Sequence, residues 1–187
     1  GPSEHDEIET YHDKIRETVV DHLPTGALKD RHRQLAIALE ASGQADREAL
    51  AVHLEAAGEK ERAGGYYAEA ALRAATALAF DRAAKLYRRA MDLKPADATE
   101  TRQLRVRLAD ALANAGRGAE AASEYLMAAK GASAAERLDL QRRAAMQSLI
   151  SGHIDDGLAA LQTVLDAAGM KLARTPSRVL GSQIGNF

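Results

Sequence analysis

The chain has 187 residues, a formal charge of −2 and no cysteine, which is the usual size of one domain and leaves no disulfide scaffold or Cys-ligated metal site. Alanine occurs 41 times and leucine 22 times, while aromatics make up only 4%. That mixture disfavours a β-sandwich or barrel and suits helices that cross closely on small side chains.

Gly1-Pro2-Ser3 has the look of a remnant of a cleaved affinity tag, so the chain is expected to be a piece of a larger protein. Apolar residues then recur at spacings of three and four, as in Leu104, Leu108 and Leu112, between breakers about one helix length apart. The periodicity predicts helices at about 6–22, 26–42, 46–57, 60–76, 80–93, 98–115, 118–130, 133–151 and 155–168. A short last helix is expected from Pro176, with Thr175 as its N-cap. No stretch alternates as a strand does.

Pairing these helices exposes a repeat. Ala83, Tyr87 and Ala90 share one helical face, and Pro95 ends the unit. Ala121, Tyr125 and Ala128 form the next copy, and Gly157, Leu161 and Val164 a later one. Glu48, Val52 and Glu55 are read as an earlier, worn copy, giving steps of 35, 38 and 36 residues between the anchors at 48, 83, 121 and 157. An alanine stands twelve residues before each anchor (Ala36, Ala71, Ala109 and Ala145), and Gly43, Leu78, Gly116 and Gly152 stand at the bends. A helical hairpin cannot bury its apolar side alone, so such copies must stack.

The pattern over about residues 31–170 resembles the tetratricopeptide repeat (TPR), whose length is about 34 residues. It is strongest over 64–97, where small, aromatic and proline markers coincide. The resemblance implies an all-α, TPR-like α-solenoid of antiparallel hairpins. A second resemblance lies in Tyr11-His12-Asp13, Ile15-Arg16-Glu17, Arg31-His32-Arg33 and Ala38-Leu39-Glu40. It is similar to the junction in large bacterial signalling proteins where a STAND-type ATPase region gives way to helical repeats. "YHDKIRETV" and "GMKLARTPSRVL" look most like the serine/threonine kinase group. The implied organisation is a tag remnant at 1–3, a helix ending an ATPase-side domain at 4–25, about four hairpins over 26–170, and a truncated helix at 171–187.

Chemistry-bearing motifs are missing from the sequence. Gly58-Glu59-Lys60-Glu61 lacks a phosphate-binding loop, and Lys29-Asp30-Arg31-His32 has a kinase catalytic loop's letters in the wrong order. The six histidines form no zinc-binding pair on one helix; His5 and His12, beside Glu9, read as solvated helix residues. Asp155-Asp156 follow a glycine bend and suit a helix N-terminus better than acid–base chemistry. Ser123, Ser148 and Ser151 have no adjacent histidine arranged as a relay.

The resemblance places the first helix of each hairpin on the concave side. Registered on the common alanines, its inward edge carries Arg33, Gln34 and Ile37; Glu69 and Leu72; Arg107, Asp110 and Asn114; and Arg142, Arg143 and Met146. These arginines predict a locally basic groove for an acidic peptide, or for carboxylates of another domain of the parent chain. The bland alternative is ordinary surface charge neutralised by Asp30, Asp110 and Asp139. Phosphate contacts by Arg102, Arg105, Arg107, Arg142 and Arg143 are disfavoured because no aromatic interleaves them, so no nucleic acid is expected. Val179, Leu180, Ile184 and Phe187 read as a severed helix rather than a membrane anchor. The expectation is therefore a cytoplasmic, non-catalytic interaction or regulatory module without a cofactor. The alternative is an effector-sensing helical domain of an ATPase-linked transcriptional activator.

Overall fold

The computed structural model describes residues 25–43, 46–93, 98–167 and 169–170, which form eight α-helices with no strand among them. They are α1 (Thr25–Ser42), α2 (Arg47–Ala56), α3 (Lys60–Thr76), α4 (Phe80–Leu93), α5 (Ala98–Asn114), α6 (Gly118–Ala129), α7 (Ala134–Ile150) and α8 (Ile154–Ala167). The chain is thus all-α over this range. Thr25, counted above with the preceding segment, already belongs to α1. The tag remnant, the helix expected at 6–22 and the one expected from Pro176 lie outside the described residues. None of the described helices is long and apolar enough to cross a membrane.

Each helix packs most closely on the helices just before and just after it in the chain. The corners are built alike. After α5, Arg117 N–H donates to the Leu112 carbonyl at 2.9 Å, with Gly116 in the left-handed region at φ 76°. After α3 the same closure runs from Ala79 to Ala74 at 2.9 Å, and Leu78 holds the left-handed position at φ 61°. Glycine takes this conformation without steric cost, whereas leucine brings its Cβ against the neighbouring carbonyl. At the start of α7, Ser133 caps the helix by accepting from Glu136 N–H at 3.3 Å.

Burial follows one register. Ala36, Ala71, Ala109 and Ala145, each the twelfth residue of α1, α3, α5 or α7, are all buried. Ala83, Ala121 and Gly157, each the fourth residue of α4, α6 or α8, are buried as well. Tyr87, Ala90, Tyr125 and Ala128 complete the same faces and are buried. The first copy departs from expectation. Val52 is 47% exposed, and Glu48 and Glu55 are half-exposed, so they are not the packing face of α2. That face is Leu50, Ala51, Leu54 and Ala57, with Leu50 the fourth residue of α2. Ala36 and Leu50 are 14 residues apart where later copies have 12, because α1 and its corner are longer. Alanine supplies more than half of the buried apolar residues, which lets helix axes approach closely. Leu50, Leu54, Leu108 and Leu112 are fully buried, and each such side chain contributes about 1.5–3 kcal/mol.

The displaced glutamates have another role. Glu48 accepts from Arg82 at 2.6 Å, and Glu55 pairs with Arg89, both linking α2 to α4. Similar bridges join α4 to α6 through Arg88 and Glu120 at 2.8 Å, and α5 to α7 through Arg102 and Glu136 at 3.1 Å. Ion pairs between next-but-one helices therefore recur along the chain. Each is partly exposed and individually weak, and together they tie α2 to α4, α4 to α6 and α5 to α7.

The last hairpin solves its crossing differently. A Cβ on Gly157 would lie 2.6 Å from Cγ and 2.7 Å from Cδ2 of Leu149. Leu149 is the sixteenth residue of α7, where α3 and α5 carry Ala75 and Ala113. At the same two helix positions the two preceding pairs of helices carry alanine and alanine, and this one carries leucine and glycine. Bulk has moved from one helix to its partner.

Candidate ligand-binding groove

Two adjoining hollows open along α3, α5 and α7. The first, of about 210 Å³, is lined by Leu72, Ala75, Phe80, Tyr87 and Ala111, with Arg107, Asp110 and Asn114 at its edge. The second, of about 380 Å³, is lined by Ala113, Tyr125, Met146 and Gln147 with Arg142 and Arg143, and shares Asp110 and Asn114 with the first. One volume falls below the small-molecule range of about 300–1,000 Å³ and the other at its low end. The pair suits successive side chains of an extended ligand better than one enclosed molecule.

The structure brings together five of the expected groove residues: Arg107, Asp110, Asn114, Arg142 and Arg143. Leu72 and Met146 join them, 49% and 52% exposed. Arg33, Gln34, Ile37 and Glu69 do not line these hollows. Arg33 donates to Asp30 at 2.8 Å and to Glu59 at 3.0 Å, and Glu69 faces Arg47 at 3.3 Å.

The groove is less basic than its arginine content suggests. Arg142 donates to Asp139 at 2.8 Å, and Arg143 to Asp110. Arg107 has no ion-pair partner among the described residues, and its charge and hydrogen bonding act on the Tyr87 hydroxyl. The positive excess therefore concentrates on Arg107. Arg102 and Arg105, weighed above as phosphate contacts, are paired with Glu136 at 3.1 Å and Glu124 at 2.6 Å.

Tyr87 and Tyr125 do more than pack between helices. Tyr125 donates its hydroxyl to Asp110 at 2.5 Å, and Arg143 lies over its ring at 4.4 Å while donating to the same hydroxyl at 3.0 Å. Burial, then the bond to Asp110, pushes the Tyr125 phenol far above its ordinary range. Burial also raises Tyr87, with Arg107 pulling the other way. Both hydroxyls stay protonated at neutral pH; Tyr125 donates to Asp110, whereas Tyr87 accepts from Arg107. Tyr67 donates to Glu55 at 3.0 Å and Tyr66 to Glu40 at 2.8 Å, so phenol–carboxylate–arginine groupings recur at three seams. The sequence carried a faint sign of this: each phenol lies 12 to 26 residues from its carboxylate, on a neighbouring helix or the next but one.

Other candidates resolve simply. Asp155 and Asp156 occupy the first turn of α8, where negative charge complements the helix dipole. Ser151 Oγ lies 3.2 Å from Nδ1 of His153. That hydroxyl is committed to the carbonyls of Gln147 at 2.8 Å and Ser148 at 3.1 Å, as a helix C-terminus favours. His5 and His12 lie outside the described residues, and no group of three or more metal-ligating side chains forms among those described.

Comparison with protein-family models, with curated proteins and with solved structures returns no match to this chain.

Proposed function

We propose that the chain is a TPR-like array of antiparallel hairpins that holds an extended acidic peptide, or a carboxylate-rich segment of another domain, along α3, α5 and α7. It acts without chemistry of its own, as an interaction and regulatory module of a bacterial serine/threonine kinase with a STAND-type ATPase segment. The array is supported by the shared twelfth and fourth positions, by packing between consecutive helices, and by the recurring ion pairs. The kinase context rests on the sequence resemblance at the two ends. The observation that carries the binding role is Arg107: a guanidinium with no ion-pair partner among the described residues, lining a hollow together with Asn114, Leu72 and Phe80. A carboxylate placed there gains a charge-assisted hydrogen bond, and a neighbouring apolar side chain of the ligand meets Leu72 and Phe80.

The test is fluorescence anisotropy with a short labelled peptide alternating Glu and Leu. Arg107→Glu weakens binding about tenfold or more, equal to about 1.4 kcal/mol. Arg33→Glu, whose parent guanidinium is already held by Asp30 and Glu59, changes affinity less than about twofold. Equal losses in the two variants, or no loss in Arg107→Glu, refute the groove. Small-angle scattering that fits a single closed bundle refutes the array.

A further inference from the structure

We propose that His32 and His53 form a proton-operated latch that holds α1 on α2 near neutral pH and releases it on acidification. The two Nδ1 atoms are 2.9 Å apart, with ring centroids 5.2 Å apart, and the contact is partly buried. At that distance one ring donates and the other accepts, so the pair must hold opposite protonation states at Nδ1. One added proton is tolerated, because an imidazolium still donates to a neutral ring. A second proton sets N–H against N–H, removes the hydrogen bond and places like charges in contact. Once one ring is charged, the second proton is therefore opposed. Burial, and then the His32 charge, lower the pKa of His53, which agrees with this order.

Besides the partly exposed ion pairs and hydrogen bonds of Arg33 and Glu40 to Glu59, Arg62 and Tyr66, α1 has one fully buried residue among those described, Ala36, helped by partly buried Leu39. The charged groups around the pair on α1, α2 and α3 are mostly engaged elsewhere. Asp30 and Glu59 hold Arg33, Glu40 holds Arg62 and Tyr66, Glu48 holds Arg82, Glu55 holds Arg89 and Tyr67, and Glu69 faces Arg47. Lys29, Arg31, Lys60 and Glu61 are exposed to solvent. No carboxylate is among the influences on His53. Hydrogen bonds, from Tyr66 to Glu40 and from Arg62 to Glu59, hold those carboxyls below their usual range. Both stay ionised through the window in which histidines titrate. A loosening of α1 between about pH 7 and about pH 5 therefore reports the imidazoles and not the seam carboxylates.

Hydrogen exchange on the full chain tests this. Protection factors of α1 amides fall at least about tenfold from about pH 7 to about pH 5, while those of α5 and α6 change less than about twofold. His53→Gln, uncharged throughout, abolishes the fall. Imidazole NMR gives a reading that needs no variant. The His53 imidazole titrates below the ordinary histidine range. Protection of α1 that does not change with pH, a fall that persists in His53→Gln, or a His53 imidazole titrating at or above the ordinary histidine range each overturn the latch.

Discussion

Gly157→Ala tests the exchange of bulk between α7 and α8. The added methyl falls 2.6 Å from Leu149 Cγ, 2.7 Å from Cδ2 and 3.0 Å from the Leu149 backbone nitrogen. The Cγ is anchored one bond from Cβ, so a terminal rotation does not clear it. Either α8 shifts outward or Leu149 leaves its rotamer. Overpacking of this kind costs about 1–3 kcal/mol. Against it stands the gain of about 1 kcal/mol for replacing glycine by alanine inside a helix. The single variant is therefore destabilised by a net of up to about 2 kcal/mol. Leu149→Ala alone loses about 1–2 kcal/mol, less than a full core truncation because Leu149 is half-buried. In that background Gly157→Ala recreates the alanine–alanine crossing of the earlier hairpins and becomes stabilising by about 1 kcal/mol. The double-mutant cycle then shows a coupling of about 1–3 kcal/mol. Urea unfolding followed by circular dichroism measures it, with native-state exchange of α7 and α8 amides to isolate the last hairpin. A coupling below about 0.5 kcal/mol, or a stabilising Gly157→Ala in the unaltered background, refutes the exchange.

Two further outcomes follow from the same coordinates. Leu78 is 73% exposed and sits at φ 61°, so Leu78→Gly loses almost no burial and relieves about 1 kcal/mol of backbone strain, visible as a higher urea midpoint. The phenols of Tyr66, Tyr67, Tyr87 and Tyr125 are all raised, Tyr66 chiefly by its bond to Glu40 and the other three chiefly by burial. A folded-state pKa above the unfolded one means stability that is whole below about pH 10 and lost as pH rises. Phenolate absorbance from these four residues then appears together with loss of helical dichroism, and phenolate formed while the helices remain intact contradicts it.

The helical class was legible because period and breakers are local. The expected helices from 26–42 through 155–168 match α1 to α8 within a few residues, since glycine corners and apolar spacing set them without reference to the rest of the fold. The first hairpin was misread for an equally definite reason. Counting twelve residues on from Ala36 lands on Glu48, but a longer α1 and corner move the packing face to Leu50. Glu48 and Glu55 looked like degraded core positions because a sequence does not show that Arg82 and Arg89 stand opposite them. Groove chemistry was half visible: helical spacing placed Arg107, Asp110 and Asn114 on one edge and Arg142 and Arg143 on another. It could not say that Asp110 would take up Arg143 and Tyr125 while Arg107 was left without an ion-pair partner among the described residues.

Composition and periodicity alone determined an all-helical chain, because each helix reads its own face from residues three and four apart. Pairing between helices was decided only in three dimensions. The Arg143–Asp110 pairing in the groove, the Leu149–Gly157 compensation and the His32–His53 contact all join residues 8 to 33 positions apart, and their energies depend on distances that no local pattern encodes.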